Sequence, residues 1–125
     1  MNKNYQLGLL YLVHLLMSAD GVVDDNETQA LNTIKGKEGI SETVFDEFKE
    51  AIRTKRGREI YQTGIEYMNR CTDEEKLRAF VILYKMSEVD GRVHVKEVRL
   101  LLYCIKVSGI EFDDVVAKAS ISSIG

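Results

Sequence analysis

The chain has 125 residues, 45% of them hydrophobic and 30% charged, which is enough apolar material for a single domain with its own core. With 17 basic and 20 acidic residues the formal charge is −3, so there is no general pull toward nucleic acid or anionic lipid. The two cysteines, Cys71 and Cys104, stand far apart with no CxxC or zinc-ligand spacing. They read as buried thiols in a reducing cytoplasm rather than as a disulfide or a nucleophile.

There is no proline, which permits long uninterrupted helices. The first helix is expected from about Asn4 to Ala19, because Leu9, Leu12, Val13 and Leu16 follow the spacing of one helical face. Its start imitates a signal peptide, with Lys3, an apolar run from Leu7 to Met17 and small residues after it. A similar segment recurs from Leu77 to Val89, where export cannot explain it, and no stretch is long and apolar enough to span a bilayer. Gly21 stops the first helix, and the second starts near Asp24, which has capping-box spacing to Glu27. Leu31 and Ile34 continue its apolar side, and Gly36 and Gly39 mark a turn.

Ser41 caps a third helix with Phe45, Phe48 and Ile52 inward, ending in the basic run Arg53-Thr-Lys-Arg-Gly-Arg58. A fourth helix carries Tyr61, Ile65 and Met68. Thr72 to Glu75 is another capping box, opening a fifth helix with Leu77, Phe80, Val81 and Tyr84. A sixth carries Val98, Leu101, Leu102 and Ile105 and ends at Gly109, and a seventh spans about Asp113 to Ala119. The fold class is therefore all-α, about seven helices in a compact bundle.

One pattern runs through these elements. Ser18-Ala-Asp-Gly-Val-Val-Asp-Asp-Asn-Glu27 returns as Glu88-Val-Asp-Gly-Arg-Val-His-Val-Lys-Glu97, with Asp90 placed 70 residues after Asp20. At the same offset Gly21 meets Gly91, Leu31 meets Leu101, and Gly39-Ile40 meets Gly109-Ile110. A duplicated helix–acidic turn–helix unit is the reading, with halves at about 4–40 and 72–110 bridged by 41–71 in one domain, 1–125.

This pattern resembles the TerB-like (tellurite-resistance protein B) family, whose signature is an apolar helix ending in Ala-Asp-Gly, an aliphatic residue and a Glu on the next helix. Here those residues are Ala19-Asp20-Gly21-Val22-Val23 with Glu27, and Val89-Asp90-Gly91-Arg92-Val93 with Glu97. The resemblance implies a small all-helical domain, a metal-binding acidic surface and a link to stress-response operons.

Asp20 and Asp90 fall at helix C-termini, where the macrodipole disfavours a carboxylate by about 0.3–1 kcal/mol. Two compensations are open. Each carboxylate can accept amide hydrogens at the start of the following helix, which needs no ligand. Alternatively, Asp20, Glu27, Asp90 and Glu97 hold a cation, and oxygen ligands call for a hard ion such as calcium or magnesium. The spacing is not that of an EF-hand. The second copy is less acidic, because His94, Val95 and Lys96 replace Asp24, Asp25 and Asn26.

His14 reads as a histidine at the edge of the core, and the Arg53–Arg58 run as a cationic helix end. No P-loop, dinucleotide glycine motif, HExxH or Ser/His/Asp frame is present in the sequence. The expected function is a non-enzymatic TerB-like binding or scaffold module in a cytoplasmic stress response, partnered by other proteins and not by nucleic acid. The alternative is a purely structural protein–protein interaction domain whose acidic turns only cap helices. A hydrolase using paired carboxylates rests on acid count alone.

Overall fold

The computed structural model describes the backbone of residues 3–17, 25–89 and 95–121, and side chains over 3–17, 29–85 and 99–120. Seven helices and no strand occur among the described residues: α1 (Lys3–Met17), α2 (Asp25–Lys37), α3 (Glu42–Thr54), α4 (Gly57–Asn69), α5 (Asp73–Val89), α6 (Val95–Val107) and α7 (Phe112–Ile121). None of these helices is long and apolar enough to cross a membrane.

The boundaries follow from local chemistry. Ser41 accepts the Val44 amide at 3.3 Å and starts α3. Thr72 and Glu75 form a reciprocal capping box before α5: the Thr72 amide donates to Glu75 Oε1 at 2.9 Å, and the Glu75 amide to Thr72 Oγ1 at 3.1 Å. Gly39 (φ 64°) and Gly109 (φ 77°) both adopt the left-handed conformation that closes a helix without a Cβ clash. After each of them a closing bond returns to the helix, from the Ile40 amide to Lys35 O at 3.0 Å and from the Ile110 amide to Ile105 O at 3.2 Å.

The core is organised around α1. Tyr5, Leu7, Leu9, Leu10, Tyr11, Leu12 and Val13 are all buried, so this helix is enclosed rather than amphipathic. It packs against α2, α3, α4, α5 and α6. The expectation of one apolar face was too narrow, because neighbours cover the helix on several sides.

Contact with α4 is the closest. A Cβ on Gly8 would stand 3.2 Å from the Met68 backbone nitrogen, and one on Gly64 would stand 3.0 Å from Tyr11 Cβ. Two glycines thus let the helix axes approach. The same contact turns α4 by one position from the expected face: Ile60, Gly64 and Met68 are buried, while Tyr61 and Ile65 are half-buried. A second layer forms where α5 packs against α6 and α7, with Ala79 to Leu83, Leu101, Cys104, Ile105 and Val115 buried.

Helices α2 and α6 are each 13 residues long, and both start and end 70 residues apart. Two buried positions coincide, Leu31 with Leu101 and Ile34 with Cys104, while α6 also buries Ile105 where α2 has the half-buried Lys35.

Candidate functional site

The four acidic residues singled out from the sequence divide between two situations. Asp20 and Asp90 lie outside the described residues. Glu27 and Glu97 lie in the first turns of α2 and α6, with side chains outside the described set. The geometry around these turns is therefore given only by their flanks. Helix α1 runs to Met17 and α2 begins at Asp25; α5 runs to Val89 and α6 begins at Val95. Among the described residues, no group of three or more histidine, cysteine, aspartate or glutamate side chains is placed to hold a metal ion.

The described polar cluster lies elsewhere, just past the end of α2. Glu38 receives a two-pronged contact from Arg78 of α5, Nε to Oε1 and Nη2 to Oε2, both at 2.9 Å. Tyr5 of α1 donates its hydroxyl to Oε1 at 2.6 Å. The Glu38 side chain is only 3% exposed, whereas Arg78 keeps 35% of its surface in water. Burial pushes the Glu38 carboxyl up, but the hydrogen bonds from Arg78 and Tyr5 outweigh it and hold the group below the usual carboxylate range. Burial raises the Tyr5 hydroxyl, and the adjacent carboxylate adds to that. A planar guanidinium matched to a carboxylate is the strong form of such a pair. Here it ties α1, the end of α2 and α5 together.

Sequence reasoning missed this cluster. Glu38 sits between Lys37 and Gly39, in a polar stretch that looks solvated. Its partners are 33 and 40 residues away, beyond any local periodicity.

At the corresponding place past α6, Ser108 is buried. Its carbonyl accepts from Lys76 Nζ at 3.1 Å, while its hydroxyl has no hydrogen-bond partner. Two residues of α5, Lys76 and Arg78, thus reach the ends of both α6 and α2.

Compared with protein-family models, curated proteins and solved structures, the chain finds no match. The TerB-like resemblance rests on the motif residues themselves.

The remaining candidates resolve simply. Burial pushes the Cys71 thiol up to about 11, aided by Glu75, and the Cys104 thiol up to about 12, so neither is a thiolate at neutral pH. His14 is half-buried and meets Phe48 edge-on at 6.2 Å, as a core-edge histidine should. Within the basic run, Arg53 pairs with Glu50 one turn earlier, at 3.2 Å on the surface. Between α1, α5 and α6 runs a seam lined by Leu12, Leu15, Leu16, Leu83, Leu100, Leu101 and Cys104. It has no room for a water molecule and no acidic lining.

Proposed function

We propose that the chain is a non-enzymatic binding or scaffold module of the TerB-like type, acting in a cytoplasmic stress response of the tellurite kind. In this reading an ancestral helix–acidic turn–helix unit was duplicated, and the two turns present Asp20, Glu27, Asp90 and Glu97 to a divalent cation. The observation that carries the reading is the shared frame of α2 and α6. Both follow an Asp-Gly turn in the sequence, both are 13 residues long, and both close on a glycine of positive φ, 70 residues apart. A single hairpin could arrive at that layout by chance; two in one register argue for a common design.

Calorimetric titration with calcium, magnesium and manganese tests the cation. Binding heat and a rise in melting temperature are expected, both lost in the Asp20→Asn/Asp90→Asn double variant. Asparagine still caps a helix, so that variant should fold with only modest destabilisation. Absence of heat and of any melting shift at millimolar metal leaves a structural interaction domain whose acidic turns serve only as caps.

A further inference from the structure

The chain has six tyrosines, and four of them stand in two stacked pairs. Tyr11 of α1 stacks on Tyr67 of α4, with ring centroids 5.8 Å apart and planes 8° from parallel. Tyr61 of α4 stacks on Tyr103 of α6, with the same centroid separation and planes 27° apart. Both separations are those of rings in direct contact. The pairs differ in their access to water. Tyr11 is 3% exposed, so the core closes off one member of the first pair. Tyr103 is 55% exposed and Tyr61 is half-buried. The other tyrosines are more sheltered than Tyr103: Tyr5 and Tyr11 are buried, and Tyr67 and Tyr84 half-buried.

The helical frame does not require an aromatic ring at 103. The matching station of α2, 70 residues earlier, is the exposed Thr33. Helix α4 leans chiefly on α1, and the Tyr61–Tyr103 pair connects it to α6 as well.

The hydroxyl ends of this pair meet as well as the ring faces. Burial and a hydrogen bond with Tyr103 raise the Tyr61 phenol above its ordinary value. When a phenol loses one electron and one proton, the unpaired electron spreads over the oxygen and the carbons ortho and para to it. The ortho carbons flank the carbon that bears the hydroxyl. Two hydroxyls held together therefore bring two reactive carbons together.

We infer that Tyr61 and Tyr103 form an oxidative cross-linking site, at which a peroxidase-type one-electron oxidant couples the two rings through their ortho carbons and staples α4 to α6. Each phenol gives up one electron and one proton. The two radicals pair in a carbon–carbon bond, and the hydrogen on each bonded carbon moves to its ring oxygen to restore both phenols. Hydrogen peroxide takes up the two electrons and two protons, its O–O bond breaks and two waters leave. The staple joins positions 42 residues apart, so it restricts the unfolded chain as a disulfide does. This goes beyond the proposed cation and scaffold role and does not depend on it.

Treating the full chain at low micromolar concentration with hydrogen peroxide and a haem peroxidase tests the inference. The expected product is a single chain lighter by two hydrogen atoms, with dityrosine fluorescence and a proteolytic fragment that joins the peptides carrying Tyr61 and Tyr103. It should melt at a higher temperature than the untreated chain. Tyr61→Phe and Tyr103→Phe keep the aromatic rings and should each abolish that product, whereas Tyr67→Phe should leave its yield unchanged. Absence of a cross-linked single chain overturns the inference, as does one that survives Tyr61→Phe. So does a map that joins Tyr11 to Tyr67, or Tyr61 to the nearby Cys104, or Tyr103 only to a second chain. A stapled chain that melts no higher than the untreated one overturns it too.

Discussion

Helices α2 and α6 invite comparison because they share two buried stations and display different chemistry. Leu31 and Leu101 are buried, as are Ile34 and Cys104, and a left-handed glycine follows each helix at the same distance. Outside, Asn32 and Thr33 face water in one, Leu102 and Tyr103 in the other. Their ends also differ. The first is anchored by an ion pair through Glu38, the second by a lysine on the Ser108 carbonyl. What the pair teaches is that core positions are set by the geometry of the bundle, while rim and surface positions are free to take on separate roles.

The largest test of that comparison is at the core. Leu31→Ala and Leu101→Ala should each cost about 2–4 kcal/mol in urea denaturation, since both remove a buried leucine from a packed site. A cost at one position and none at the other would break the equivalence.

Next comes the anchor. Glu38→Ala should cost about 2–3 kcal/mol, below the roughly 3–5 kcal/mol of a fully buried broken pair because Arg78 keeps partial access to water. Ser108→Ala, which removes a hydroxyl with no partner, should stay within about 0.5 kcal/mol. Acid sharpens the contrast. The Glu38 carboxyl is held below its ordinary value, so its stabilisation is present above the unfolded-state pKa of about 4.3 and is lost as pH falls through the folded value. Melting temperatures measured downward from about pH 5 should fall less steeply in Glu38→Gln than in the wild type.

The smallest effects are expected at the turns. Gly39→Ala and Gly109→Ala should each cost about 1 kcal/mol, because both positions require positive φ. Equal costs would support a shared turn geometry, and unequal ones would weaken it.

Most of the helical plan could be read from periodicity and punctuation. Ser41, the Thr72–Glu75 box, Gly39 and Gly109 carry their instructions within four residues, so local reasoning finds them. What it could not find is set by distant packing. Leu102 reads as a core residue because leucine is apolar, yet it is 40% exposed on the outer side of α6. Gly64 reads as a gap in the pattern of α4, yet it is one of two glycines at which α4 and α1 come close together. Glu38 reads as surface, and only the meeting of α1 and α5 makes it an anchor. Asp20 and Asp90 lie outside the described residues.

The enclosure of α1 has a consequence for biosynthesis. This helix leaves the ribosome before any of its neighbours, and its closest partner, α4, begins only at Gly57. At translation speeds of about 5–20 residues per second, the nascent chain carries an uncovered greasy rod for some seconds. Such a chain should depend on holdase chaperones early in synthesis, and a fragment released before α4 should aggregate.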